Sequence, residues 1–236
     1  MAVQVLEQIK QVSTRQMAHA AIKDAILAGK LKTGQRITET ELSESLNVSR
    51  AIVREALQQL AHEGLVEQNS YKGTRVVRMS PEQLDETISI RVLLEAEAVR
   101  LAKKNLTAKD KRALRGIVAK LENSRENQRL YTELDLTLHE KIWELADNKT
   151  LQRLLTQVTV PLFAMGTIIR HSRKFAADNQ TVAYEPDNHT NLIETVCDGA
   201  TDEAVAAMRE HLTKNSSFTR ENFERFLAAN PADAWE

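Results

Sequence analysis

The sequence predicts a mainly α-helical chain in two parts, with one small β-hairpin where the parts meet. Three observations lead there. Gly 7 and Pro 4 are few for 236 residues, which disfavours folds built from many strands and turns. Apolar residues recur at helical spacing along most of the chain, and only near residues 65–79 does the period change to that of strands. The length exceeds the usual single-domain size, so each part can bury a core.

Taken in order, residues 14–28 place Met17, Ala21, Ile22, Ala25 and Ile26 on one helical stripe, with Thr14 as cap and Gly29 as stop. The link GKLKTGQRI reads as a turn-rich connection. Thr38 with Glu41 three residues later forms a capping box for a short second helix, ETELSESL. Asn47 and Val48 make a tight turn, and Ser49 caps a third helix, RAIVREALQQLAHE, which Gly64 terminates. LVEQ and TRVVRM, separated by the polar turn NSYKG, then form the hairpin. Helix, short helix, tight turn, helix and hairpin is the order of a winged helix-turn-helix.

Ser80 followed by Pro81, Glu82 and Gln83 starts the next helix and sets a domain boundary near residue 79. The expected division is a winged helix-turn-helix over 1–79, an all-helical antiparallel bundle over 80–229 and a frayed tail over 230–236. Helical pieces are predicted at 81–104, 108–128, 130–146, 149–176, 184–198 and 202–228. Pro161 is expected to bend or break the fourth of them.

With 42% apolar and 28% charged residues the composition is that of a soluble globular protein. The lone Cys197 excludes an internal disulfide and implies a reducing compartment. No stretch has the roughly 18 consecutive apolar residues of a membrane span, nor does the N-terminus carry a signal peptide's apolar core, so a cytoplasmic protein is expected. The net charge is -1, but residues 1–77 hold ten Lys/Arg against eight Asp/Glu, a local +2. So small an excess must be concentrated on one face, and pairing two copies must supply affinity for double-stranded DNA, which predicts a homodimer on a short near-palindromic site.

In a helix-turn-helix the third helix presents its N-terminal residues to the major groove, where Arg pairs with guanine O6 and N7. Arg50 and Arg54 share that face one turn apart, while Ile52, Val53, Leu57 and Leu60 turn toward the core. Ser49 and Thr40 are candidates for phosphate contacts, and Tyr71, Lys72 and Gly73 at the hairpin tip for backbone or minor-groove contacts. The simpler alternative for Arg54 is a solvated pair with Glu55 or Gln58.

The stretch AILAGKLKTGQRITETELSESLNVSRAIVREALQQLAHEGLVEQNSYKGTRVV resembles the DNA-binding domain of GntR-family transcriptional regulators. Ala51-Ile52 departs from the Thr-Pro of many relatives, and Thr40 stands where some carry a DNA-contacting Arg. The helical remainder resembles the FCD-type C-terminal domain of the FadR subfamily. This implies a regulator, expected to be a repressor, controlled by a small ligand.

Four residues of the second part form a possible metal site. Asp135 and His139 lie at i and i+4, on one face of one helix. His189 lies ten residues before Gly199 and His211 ten after Thr201, so an antiparallel hairpin would hold both imidazoles at one level, about 15 Å from the turn. Any one of these histidines alone is more simply an ordinary polar side chain at a helix interface. The subfamily resemblance implies a divalent metal held by an Asp-x3-His pair and two later His, and the four positions match. Three imidazoles and one carboxylate suit Zn, Ni, Fe or Mn. His19 and His62 are read as structural, with His171 a reserve ligand.

The open coordination positions of relatives face a pocket for a small organic acid. Arg91 is a candidate to pair with such an anion, against a plain salt bridge to Glu95. Two other readings compete. In one the ion itself is the signal; in the other the site is that of a metal-dependent hydrolase, for which no accompanying acid or base motif is present.

Overall fold

The computed structural model describes residues 13–69, 73–171 and 189–229. Helix α1 (Thr14–Leu27) is capped one residue earlier than expected: Ser13, not Thr14, is the N-cap and shares a capping box with Gln16. Its buried stripe is Ala18, Ile22, Ile26 and Leu27, whereas Met17 is exposed. The helix carries two adjoining apolar stripes, and packing against α3 (Arg50–His62) selects between them.

The Thr38–Glu41 capping box opens α2 (Glu39–Leu46), and Asn47 ends it in the left-handed region at φ 51°. Ser49 caps α3, which buries Val53, Ala56, Leu57 and Leu60. The wing pairs β2 (Val66–Asn69) with β3 (Gly73–Val76), Val66 opposite Val76. A third strand, β1 (Arg36–Ile37), adds to the other edge of β3 and gives the order β1-β3-β2. The sequence reading missed it, since two residues are too few to show a period.

The second part holds α4 (Pro81–Ala102), α5 (Ala108–Glu122), α6 (Gln128–Leu145), α7 (Lys149–His171), α8 (His189–Asp198) and α9 (Thr201–Ala229). The helix start expected at Ser80 is the start of α4, where Ser80 and Gln83 make a capping box with Pro81 in the first turn. Helix α7 runs without a break through Pro161, so of the two expected outcomes, a bend or a break, the break does not occur. A proline removes one helical donor, and neighbouring packing decides whether the helix survives that loss. The tail 230–236 and the ends of the pieces expected at 149–176 and 184–198 lie outside the described residues. Among the described residues, no helix is long and apolar enough to cross a membrane.

Two apolar clusters organise the molecule. One lies within the bundle and joins α4, α5, α6, α8 and the first halves of α7 and α9 around Leu138, Trp143, Val196 and Met208. The other crosses the boundary expected near residue 79. It unites Ile22, Ile26, Val53, Leu57, Leu60 and Val76 of the winged helix with Leu162, Met165 and Ile168 of α7 and Phe223 and Phe226 of α9. Gly64, just past α3 at φ +70°, lies close against α7. A Cβ there would lie 2.8 Å from Val160 Cγ1, 3.0 Å from the Val160 carbonyl carbon and 3.1 Å from Pro161 N. Glycine's missing side chain meets proline's missing N–H at this contact.

Candidate functional site

Helix α6 buries Leu138 and Ile142 in the bundle core, and Asp135 and His139, one turn apart, project toward α8 and α9. His189 opens α8 and His211 lies in α9, ten residues beyond the start of that helix. The two imidazole centroids are 4.9 Å apart, as an antiparallel hairpin about Gly199–Ala200 requires. The His139 and His211 rings are 5.5 Å apart.

Asp135 is the focus of the group. Its Oδ1 lies 3.1 Å from His189 Nε2 and 3.5 Å from His139 Nε2. One ligand atom each from Asp135, His189 and His211 lies within 4.8 Å of the others. His139 is thus not within that trio but faces the same carboxylate, so the structure draws all four residues together around one point.

The outer nitrogens have partners that the sequence reading did not identify. His139 Nδ1 is 2.9 Å from Glu95 Oε2, and Trp143 Nε1 donates to the same oxygen at 3.0 Å. Arg91 Nε donates to the other oxygen, Oε1, at 3.0 Å. His189 Nδ1 is 3.2 Å from the Tyr131 hydroxyl. A proton on His139 Nδ1, donated to Glu95, leaves the Nε2 lone pair directed at Asp135. A lone pair facing a carboxylate calls for a cation between them, either a proton or a metal ion.

The electrostatics of the group follow from burial and mutual contact. Burial works to raise the Asp135 carboxyl, but the hydrogen bond from His189 and the surrounding imidazoles hold it below the usual carboxylate range. Burial also opposes the charged form of Glu95, yet His139, Arg91 and Trp143 together bring it down to about 2. His211 is pushed down to about 3, first by burial and then by His139 and His189. The group therefore offers an ionised carboxylate together with an imidazole held neutral, the protonation states that metal coordination requires.

The donor set fits a divalent metal. Two atoms bound to one ion at about 2.1 Å each lie no more than about 4.2 Å apart, and the Asp135 to His189 and His139 distances already satisfy this. His139 and His189 are tied at their outer nitrogens, as metal-bound imidazoles commonly are. Arg91 makes the salt bridge to Glu95 that was the alternative to anion binding, and it also borders the site: its guanidinium lies 5.1 Å from the centre of the Phe163 ring, which is 6.2 Å from His139. Both readings of Arg91 are compatible with this position. The side chain of His171 lies outside the described residues.

On the winged helix, Arg50 and Arg54 project from α3 with side chains 63% and 56% exposed. Arg54 pairs with neither Glu55 nor Gln58. Its Nε and Nη2 donate to the two carboxylate oxygens of Glu39, each at 2.7 Å, and Arg50 Nη2 lies 3.8 Å from the same side chain. Fifteen residues separate Glu39 from Arg54, so helical spacing gave no signal of the pair. The Ser49 hydroxyl accepts from Ile52 N as a helix cap, and Thr40 is exposed on α2. Gly73 opens β3 at φ +79°. Tyr71 and Lys72 lie outside the described residues.

Comparison with known proteins agrees with both parts. Residues 14–76 match the bacterial regulatory proteins of the gntR family, and residues 86–214 match the FCD domain. The chain is 31% identical over 140 residues to the HTH-type transcriptional regulator YdhC of Bacillus subtilis, an alignment that spans 58% of this chain and 62% of that protein. It is 26% identical over 205 residues to a probable D-xylose utilization operon transcriptional repressor of Paenarthrobacter nicotinovorans, across 84% of this chain and 87% of the other. The fold is that of E. coli McbR/YncC, with a TM-score of 0.65 at 22% identity, covering 90% of this chain and all of that one. Winged helix, helical bundle and both family matches lead to one conclusion: the chain is a transcriptional regulator belonging to the gntR family, with an FCD domain behind its DNA-binding part.

Proposed function

We propose that the protein is a homodimeric repressor whose hold on a near-palindromic operator is controlled by a small anionic metabolite bound beside a divalent metal. Asp135, His139, His189 and His211 hold the ion, and Arg91 receives the anion. The observation that carries this reading is the convergence of these four side chains on one buried point, with His139 and His189 anchored at their outer nitrogens. The ion would supply a positive charge in the bundle interior, to which a carboxylate of the effector can bind.

Other features support the same reading. The Arg91 guanidinium and Phe163 ring lie beside the group and offer a cation and an apolar face. One turn before Phe163, the Thr159 hydroxyl is fully buried with no hydrogen-bond partner among the described residues, so a bound molecule could satisfy it. Arg50 and Arg54 supply the base contacts, with Ser49, Thr40 and the wing tip at Tyr71, Lys72 and Gly73 on the backbone. The local excess of +2 favours binding as a pair. Repression is proposed by likeness to the probable repressor from Paenarthrobacter. Regulation of this kind takes place in the cytoplasm, with the chromosome.

Elemental analysis of the purified chain, with operator titrations of wild type, His189→Ala and His211→Ala, tests the reading. The expected result is one equivalent of metal in wild type, and loss of metal and of effector response together in the variants. Basal DNA binding should be retained, since the reading helix is in the other part. A typical coupling changes operator affinity about 5- to 150-fold. Metal-free wild type from metal-replete medium, or variants that respond fully, would refute it.

A further inference from the structure

The sequence patterns of the winged helix account for its core and its exposed arginines but not for Glu39. This residue begins α2, and its carboxylate lies between Arg54 and Arg50. It is the less exposed member of the group, 26% against 56% for Arg54 and 63% for Arg50.

A guanidinium has five N–H donors arranged as adjoining forks. Glu39 occupies the side fork of Arg54, made by Nε and Nη2. The end fork, made by Nη1 and the second hydrogen of Nη2, is not used by this pair. That fork matches O6 and N7 of a guanine in the major groove. An arginine alone on a helix surface samples many rotamers and meets phosphates as readily as bases; one held from behind by a carboxylate loses that freedom before binding. The same carboxylate offsets part of the positive charge by which the surface would attract any duplex. Arg54 holds Glu39 below the usual carboxylate range, so it stays ionised at neutral pH.

We propose that Glu39 is a positioning residue for sequence reading: it fixes the guanidinium of Arg54 with its end fork toward the base edges, raising discrimination while lowering indiscriminate affinity. The proposal rests on the reading that Arg54 contacts bases. It sets Glu39 apart from an autoinhibitory mask, which would have to release the arginine before any DNA bound.

The test uses the full chain and two duplexes. One is enriched by the wild-type protein from a random library, and the other is a mixed-sequence duplex of equal length. Titrations of wild type, Glu39→Gln, Arg54→Ala and the double variant give the ratio of specific to non-specific affinity in each case. The ratio is expected to fall about 5- to 10-fold in Glu39→Gln, within the range of one bidentate base contact. Non-specific binding should tighten as residues 1–77 go from +2 to +3. In the Arg54→Ala background, Glu39→Gln should leave the ratio unchanged, since its effect passes through that arginine. Tighter binding of both duplexes at an unchanged or higher ratio would show a mask and overturn the proposal. An equal weakening of both, accompanied by a lower melting temperature, would reduce Glu39 to a helix-stabilising residue and also overturn it. An unchanged ratio in Arg54→Ala would refute the base contact, and the role of Glu39 with it. A lower ratio in Arg54→Ala but not in Glu39→Gln would refute the role of Glu39 alone.

Discussion

Substituting Gly64 by alanine separates two effects that usually occur together. A non-glycine residue in the left-handed region costs about 1–2 kcal/mol, and Gly64 has φ +70°. The new methyl would also lie 2.8 Å from Val160 Cγ1 and within 3.0–3.1 Å of the α7 backbone at Val160 and Pro161. Backbone in the middle of a packed helix yields little, so overpacking adds about 1–3 kcal/mol. The total is about 2–5 kcal/mol. Gly29 is the internal control, since it has nearly the same φ, +68°, but nothing within 4 Å of an added Cβ. Gly29→Ala should lose only the conformational part, less the gain from a stiffer unfolded chain. Urea unfolding of both variants, followed by far-UV circular dichroism, should therefore show Gly64→Ala less stable by a further 1–3 kcal/mol or so. Equal losses in the two variants would refute the close packing of the end of α3 on α7.

Further outcomes follow from the buried side chains. Phe223 is fully buried in the cluster that joins α9 to the winged helix, so Phe223→Ala should cost about 3–5 kcal/mol in the same assay. Glu95→Gln removes the anionic partner of His139 Nδ1 and should weaken metal binding about 10- to 100-fold, measured by competition with a chromogenic chelator. In metal-stripped protein, His211 remains neutral down to about pH 3 when folded but takes up a proton near 6.5 when unfolded. Its contribution is therefore unaffected above pH 6.5 and falls as the pH drops below it, by about 2 kcal/mol between pH 6.5 and pH 5. His211→Asn should flatten the pH dependence of urea unfolding by a comparable amount, and an unchanged slope would count against a neutral buried imidazole.

Features set by neighbours in the chain were legible in the sequence. The Thr38–Glu41 and Ser80–Gln83 boxes are local hydrogen-bonding patterns, and the structure forms both. The shared level of His189 and His211 followed from equal spacing about a turn, because helical rise is constant. What could not be read depended on distant partners. Glu95 meets His139 across 44 positions and Glu39 meets Arg54 across 15, so neither pair leaves a periodic trace. Met17 shows the same limitation: periodicity locates an apolar stripe, but only the partner helix determines which edge of it is buried. Pro161 was read by its local preference for ending a helix, and α7 continues through it.

The α7 helix also bears on how such regulators diversify. Its Phe163 side borders the candidate ligand site, while Leu162, Met165 and Ile168 belong to the core of the DNA reader. On the proposed function, substitutions on the first side would change what is sensed without disturbing the second. Recombination that exchanges the bundle at residue 79 would instead bring in a foreign α7 surface against Gly64, with a new bulge or gap at each apolar position. A chimera is therefore expected to need the donor's reader-facing α7 and α9 residues reverted to those of the recipient. On this architecture, new ligand specificities are reached more readily by point substitution than by domain shuffling.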